Sequence, residues 1–126
     1  KNMKITEHII FLGIRNDVPE LLNAMDIFLM PSLYEGLPVV LVETQANGLN
    51  AVVSNKITTE MAVTDLIRFL PLEVSPAEWA DCILKIKMDP AERGKYANLI
   101  KAAGYDIKNE SRNMTKFYQM TAEGEI

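Results

Sequence analysis

The sequence predicts an α/β domain in which helices cover both faces of a parallel sheet of about four strands. Short apolar runs of strand length recur along the chain, and amphipathic stretches with helix-start signals separate them. The runs are apolar throughout, which is typical of parallel strands because helices bury both of their faces. Strands that alternate with helices in this way favour a parallel sheet.

The four predicted strands are short runs of apolar, β-branched or aromatic residues. Gly13 closes the first run and Pro31 interrupts the chain after the second. A turn of helix is predicted at Thr59–Val63, between the last two strands. The predicted strands lie at 9–12, 27–30, 51–54 and 67–70.

Residues suited to helix ends predict five helices. Asp17 is placed as an N-cap with Pro19 and Glu20 in the first turn, and Gly48 suits the left-handed position after a helix that begins at Pro38. Two later starts combine a capping residue with Pro in the first turn and Glu three residues after the cap. The predicted helices are 17–25, 38–47, one beginning at Ser75, one beginning at Asp89, and 107–120.

Length and composition exclude several classes of protein. The chain has 126 residues, 48% hydrophobic and 24% charged, which suits one globular domain and excludes a two-domain enzyme. A net charge of -4 with scattered Lys and Arg argues against nucleic acid as a partner. The chain begins with Lys1 and has no signal-peptide pattern, so we interpret it as a piece of a longer protein.

The single cysteine, Cys82, cannot form an internal disulfide, which indicates a reducing, cytoplasmic setting. It shares a helix face with Trp79, Ile83 and Ile86 and is therefore predicted to lie in the core. No apolar run approaches the roughly 20 residues that cross a bilayer, so no transmembrane helix is predicted.

The candidate site lies in the loop and helix after the second predicted strand, because ligands of such sheets bind beyond the carboxyl ends of strands. Glu35 falls in this loop. Glu43 falls in a helix whose apolar start, Val39–Val42, predicts a mainly buried element, where a carboxylate must be partnered or face a cleft. The helix start suits phosphate, and Gly36 allows close approach to the backbone. The spacing of two Glu alone is weak evidence, since chance gives roughly one such pair.

This segment resembles a known family. The residues that carry the resemblance are Phe11-Leu12-Gly13, Met25–Ser32, Glu35-Gly36-Leu37-Pro38, Glu43 and Gly48. They are similar to the carboxy-terminal half of the C-terminal domain in retaining, GT-B fold, family 4 glycosyltransferases, with Glu-x7-Glu as the most specific motif. The resemblance covers nearly the whole chain and is densest over 9–54.

The resemblance implies a Rossmann-like fold, with residues 1–126 as a truncated donor nucleotide-sugar-binding domain. It implies transfer of a hexose from a UDP- or GDP-sugar to a glycan or lipid-linked acceptor, in bacterial capsule, exopolysaccharide or lipopolysaccharide biosynthesis. The parent protein is then cytoplasmic and peripheral at the inner face of the cell membrane. No cofactor is implied, and the absence of Asp-x-Asp agrees with the GT-B habit of working without a bound catalytic metal.

The resemblance also assigns roles to individual residues. Glu35 corresponds to the catalytic acid near the donor sugar, and Glu43 to the acid that binds the ribose hydroxyls. Ser32 joins the donor-binding set, and Arg15 is placed near the nucleobase. Pro38 departs from the Gly often found there and removes one possible donor. The backbone N–H groups that face the sugar and diphosphate are those of Gly36, Leu37, Val39 and Val40.

Parts of the family pattern have no counterpart here. The Arg-x4-Lys pair that neutralises the leaving diphosphate and the N-terminal acceptor domain are both absent, so we expect the chain to be inactive alone. In the family's strand order two further strands separate 9–12 from 27–30. The first strand must therefore pair directly with the second, exchange with another copy or leave an open edge, and we expect a self-associating or rearranged chain.

Two alternatives to the transferase are considered. One is another GT-B nucleotide-sugar enzyme such as an epimerase, which Glu-x7-Glu disfavours. The other is a noncatalytic α/β interaction or regulatory module, for instance one like a receiver domain. Such a module calls for an acid pair and a Lys that the loop at 31–38 does not supply. Fold analogy alone does not separate these alternatives.

Overall fold

A computed structural model describes residues 5–87 and 89–124. The helices and strands alternate along most of the chain, as the apolar pattern predicts. In chain order they are a 3-10 turn at Thr6–His8, α1 (Val18–Ala24), β1 (Ile27–Met30), α2 (Val40–Ala46), β2 (Asn50–Ser54), β3 (Ile67–Leu70), α3 (Pro76–Leu84), a 3-10 helix at Pro90–Lys95, α4 (Tyr96–Ile100), a π-helical segment at Lys101–Tyr105 and α5 (Ile107–Glu123).

The three strands form one parallel sheet in the order β1-β2-β3. Met30 at the end of β1 lies beside Val53 near the end of β2, and Ser54 lies beside Leu70 of β3. The carboxyl ends of all three strands therefore meet at one edge of the sheet. The segment after β1, which carries the predicted site, leaves from this edge.

The core has two layers because alternate residues of β2 point to opposite faces of the sheet. On one face Ala51 and Val53 pack in a cluster with Leu41 of α2 and Ile100 of α4. On the other face Val52 packs with two residues of α3 and its following turn, Trp79 and Ile86. Cys82 packs against this second cluster but is only half-buried, so it lies at the edge of the core and not within it as predicted.

The predicted strand at 9–12 is wrong, and the sheet has three strands where about four were expected. The segment forms no ladder, and Phe11 is 92% exposed. A strand of this kind needs a neighbour to accept and donate its backbone hydrogen bonds. Across 5–87 and 89–124 none pairs with it, so the apolar pattern alone does not produce a strand.

The predicted helices are confirmed, with differences at their starts. The Asp17 carboxylate does not cap α1, since it accepts hydrogen bonds from Arg15 instead. The second helix begins at Val40, two residues later than Pro38. Thr59–Val63 forms only a turn, closed by a 3.0 Å hydrogen bond from the Ala62 N–H to the Thr59 carbonyl oxygen.

The two strongest start signals act as predicted. At α3, Ser75 and Glu78 form a capping box: the Ser75 hydroxyl accepts from the Glu78 N–H at 3.3 Å, and Glu78 accepts from the Ser75 N–H at 2.9 Å. The Asp89 side chain accepts from the Ala91 N–H at 3.0 Å. The residues that follow Asp89 begin as a 3-10 helix before α4 continues.

The last helix, α5, is amphipathic but exposed over its full length. Its apolar residues Met114, Phe117 and Tyr118 are each more than half exposed. The apolar side of α5 is therefore not part of the local core. Among the described helices, none is both long and apolar enough to cross a bilayer.

Candidate functional site

The candidate site begins in the loop that leaves the carboxyl end of β1. In this loop the Ser32 hydroxyl donates a 2.8 Å hydrogen bond to the Glu35 carboxylate, and both side chains are half-buried. The bond fixes one carboxylate oxygen of Glu35 and leaves its other lone pairs available to a ligand.

The start of α2 lies directly after this loop. The first backbone N–H groups bonded within the helix are those of Leu41, which donates to Pro38 at 2.9 Å, and Val42, which donates to Val39 at 2.9 Å. The N–H groups of Val39 and Val40 come before them and have no acceptor within the described parts of the chain. They lie at the positive end of the helix.

Glu43 lies on the outward side of α2, one turn from its start. It is exposed, whereas its neighbours Val42 and Thr44 are buried. The prediction of a helix start buried on all sides is therefore wrong, because Val39 is also 59% exposed. Residues four apart share a helix face, so Val39 and Glu43 present one open surface. Glu43 is three residues past Val40, about 4.5 Å along the axis.

Glu35 and Glu43 therefore flank the same end of one helix, one in the loop before it and one in its first turn. Gly36 and Leu37, between Glu35 and the helix, are exposed, while the Pro38 ring is buried and anchors the chain. This places four of the predicted backbone donors along one continuous open segment. Leu37 is exposed to the same degree as Val39, so the segment is apolar as well as charged.

Arg15 lies outside this segment and is occupied by a local partner. Its guanidinium donates to the Asp17 carboxylate, with Nε 2.8 Å from Oδ1, and both side chains are exposed. This hydrogen bond raises the pKa of Arg15 and lowers the pKa of Asp17. A ligand contact by Arg15 would compete with this pair.

One residue that the sequence reasoning missed is Gln45 on the inner side of α2. Its side chain is fully buried and bonded to the segment between β2 and β3. The signal was present in the sequence: Gln45 is four residues after Leu41 and therefore shares its apolar face. A polar residue on an apolar helix face indicates a buried hydrogen-bond network, because its side chain must find partners within the core.

A cleft also lies at the opposite edge of the sheet. It has a volume of about 430 Å³ and is lined by residues at the amino ends of the strands, among them Asp26, Asn50 and Leu66. We assign the site to the carboxyl edge all the same. Ligands of open parallel sheets bind there, and the two acids and the free N–H groups lie there. Within 5–87 and 89–124, no group of three His, Cys, Asp or Glu side chains could hold a metal ion.

The fold and this segment together define a class: a parallel α/β domain with two acids flanking a helix start at the carboxyl edge of its sheet, the edge at which open α/β sheets bind ligands. Within that class, a family model described as glycosyl transferases group 1 matches residues 1–104. The chain belongs to this family, as its motifs predicted.

Three bacterial proteins are similar to the chain. EpsF of Bacillus subtilis, whose name carries a provisional glycosyltransferase assignment, is 32% identical over 125 residues, which are 98% of this chain and 33% of EpsF. The UDP-Gal:α-D-GlcNAc-diphosphoundecaprenol α-1,3-galactosyltransferase of Escherichia coli is 44% identical over 54 residues, 43% of the chain and 14% of that enzyme. The N,N'-diacetylbacillosaminyl-diphospho-undecaprenol α-1,3-N-acetylgalactosaminyltransferase of Campylobacter jejuni is 49% identical over 45 residues, 36% of the chain and 12% of that enzyme.

Proposed function

We propose that this chain is the donor-binding part of a retaining glycosyltransferase. The protein that contains it would transfer a hexose from a UDP- or GDP-sugar to a glycan or lipid-linked acceptor during bacterial polysaccharide synthesis. The observation that carries the proposal is the pair of acids, Glu35 and Glu43, at the amino end of α2 in a chain of the glycosyl transferase group 1 family. The names of two relatives support a lipid-linked acceptor, since both include diphosphoundecaprenol.

The chemistry of the segment suits a nucleotide-sugar. The diphosphate would lie against the N–H groups of Val39 and Val40, where the helix end favours negative charge. Glu43, one turn along the same open face, would accept hydrogen bonds from the two ribose hydroxyls. Glu35, oriented by Ser32, would lie at the donor sugar and the reacting centre.

A lipid-linked acceptor would place the reaction at a membrane surface. An acceptor joined to a lipid stays at the bilayer, so the enzyme must reach it from the adjacent aqueous phase. We place the parent protein in the cytoplasm, peripheral to the inner face of the membrane. The exposed apolar side of α5, with Phe117 and Tyr118, would then be covered by another part of the parent protein.

The binding test is calorimetric titration of the chain with UDP, GDP and their sugars. Glu43→Ala is expected to weaken binding of UDP and of UDP-sugar equally, by at least about tenfold, since one of its two charge-assisted hydrogen bonds alone is worth that factor. Glu35→Ala is expected to weaken binding of the UDP-sugar but not of UDP. Glu110→Ala in α5 is the matched control and should change neither.

The outcomes separate the two roles. Unchanged nucleotide affinity in Glu43→Ala would remove the ribose assignment. If Glu35→Ala bound the UDP-sugar as tightly as the wild type does, the donor-sugar role of Glu35 would be removed. In a longer protein that contains this chain, Glu35→Ala is expected to abolish transfer while UDP binding persists. Full transfer activity in that variant would refute the catalytic assignment.

A further inference from the structure

The buried side chain of Gln45 forms five hydrogen bonds. Its Nε2 donates to the carbonyl oxygens of Leu41 at 2.8 Å and Met61 at 2.6 Å. Its Oε1 accepts from the Val63 N–H at 3.1 Å, and from the N–H and hydroxyl of Thr64 at 2.9 and 2.8 Å. Both donor hydrogens and both acceptor lone pairs of the amide are thereby used. Hydrogen bonds at both the nitrogen and the oxygen therefore fix the orientation of the amide.

Four of these five bonds go to the crossover between β2 and β3, residues 55–66. The crossover leaves the carboxyl end of β2, beside the loop that carries Glu35, and returns to the start of β3, where the Leu66 carbonyl accepts from the Ala51 N–H at 3.0 Å. It contains no helix. Ile57 and Met61 anchor it in the same core cluster as Leu41. The crossover is thus a fixed support along one side of α2.

Gln45 and Glu43 point to opposite sides of α2. They are two residues apart, and each residue turns the helix by about 100°, so their side chains diverge by about 200°. The core packing of Leu41 restrains rotation of this seven-residue helix about its axis, and the hydrogen bonds of Gln45 restrain it further. Hydrogen bonds depend on angle. Fixing Gln45 on the inner side therefore fixes the direction of Glu43 on the outer side.

We infer that Gln45 is a positioning residue of the donor site: its buried carboxamide sets the rotation of α2 about its axis. Through that rotation it aims the Glu43 carboxylate and the N–H groups of Val39 and Val40. The inference rests on the proposed function for the identity of the ligand. The rotation itself can be measured without one.

The test compares Gln45→Met with Trp79→Phe. The first removes all five hydrogen bonds at similar side-chain volume. The second is the matched control, because it removes one buried bond, from Trp79 Nε1 to the Pro71 carbonyl at 3.2 Å, on the other face of the sheet. Gln45→Met is expected to weaken UDP binding about tenfold, as when one charged hydrogen bond is lost. Trp79→Phe should leave UDP affinity within about twofold.

The second readout is the amide region of a proton–nitrogen NMR spectrum without nucleotide. Rotation of α2 should shift the resonances of residues 39–43 in Gln45→Met and leave them in place in Trp79→Phe. A folded Gln45→Met variant with unchanged resonances at 39–43 overturns the inference. If wild type does not bind UDP, the proposed function fails, while these resonances still decide the role of Gln45.

A milder variant covers the case in which Gln45→Met does not fold. Thr64→Val removes the hydroxyl bond to Gln45 Oε1 and keeps the other four. It should shift the resonances at 39–43 in the same direction by a smaller amount and weaken UDP binding by about twofold to threefold. No change in either measurement overturns the inference.

Discussion

Arg93 connects three parts of the chain that are distant in sequence, and its loss should be costly. Its guanidinium donates to four backbone carbonyl oxygens: Nε to Asn47 at 3.0 Å, one terminal nitrogen to Asn23 at 3.2 Å and Met25 at 3.3 Å, and the other to Leu22 at 3.0 Å. These carbonyls lie at the carboxyl ends of α1 and α2, where helices leave acceptors unpaired and favour positive charge.

The magnitude for Arg93→Met follows from these contacts. Each hydrogen bond contributes about 0.5–1.5 kcal/mol net, which gives about 2–6 kcal/mol for four. Arg93 is half-buried, so water can replace part of what is lost, and we expect a decrease of about 2–3 kcal/mol in the free energy of unfolding. That is a large share of the roughly 5–15 kcal/mol typical of a domain.

The assay is urea unfolding followed by far-UV circular dichroism, with Arg112→Met as the control. Arg112 is an exposed residue of α5 whose guanidinium donates to a neighbouring side chain, Asn109, at 3.2 Å. The control should lose less than about 0.5 kcal/mol. Equal losses in the two variants would show that Arg93 holds the helix ends no more firmly than a surface arginine, and would refute the reasoning.

Three further predictions follow from single contacts. Gly48→Ala should lower the free energy of unfolding by about 2–4 kcal/mol, because Gly48 has φ +63° and an added Cβ would lie 2.5 Å from backbone atoms of Arg93. Gly94→Ala is the control and should cost little, because a Cβ there meets nothing within 4 Å. Equal losses of stability in the two variants would contradict this prediction. The backbone N–H and then the hydroxyl of Ser75 lower the pKa of Glu78 below its usual 4.5. The wild type should therefore be more stable than Glu78→Gln above that pH in urea unfolding and lose this advantage as pH falls through the lowered pKa, whereas a constant difference would count against the capping bond. The chain should self-associate in sedimentation velocity and do so less in Phe11→Ser, and a concentration-independent monomer would disprove this.

The sequence predicted elements whose cause is local. The start of α3 could be placed because Ser75 and Glu78 satisfy each other within one turn. Three of the four strands could be placed because each is an apolar run that becomes buried or half-buried between helices. The segment at 9–12 has the same apolar character, but its pairing depends on neighbours that no local pattern describes.

The contacts that fix the candidate site are not local, and the sequence did not predict them. Gln45 bonds to residues 16 to 19 positions later, and Arg93 to carbonyls 46 to 71 positions earlier. Both side chains would ordinarily be assigned to the surface. Their partners are mostly backbone groups, and because nearly every residue type carries the same backbone groups, the sequence does not show which of them will be bonded. By contrast, Glu35 and Glu43 could be placed at one helix end because their order along the chain determines it.

The groups that hold α2 in the fold differ from the groups of α2 that are proposed to bind the nucleotide. Its inner side is fixed by Gln45, and the carbonyl just beyond its carboxyl end, that of Asn47, is bonded to Arg93. Within residues 5–87 and 89–124, the Val39 N–H group at the amino end and the outward Glu43 carboxylate have no hydrogen-bond partner. Water can satisfy such groups at an exposed helix start, and under the proposed function a ligand that carries phosphate and hydroxyl groups would bind them instead. Substitution of Arg93 should therefore lower the free energy of unfolding, and substitution of Glu43 should lower nucleotide affinity at unchanged stability. A Glu43→Ala variant that lost stability instead would place that acid among the residues that hold the fold.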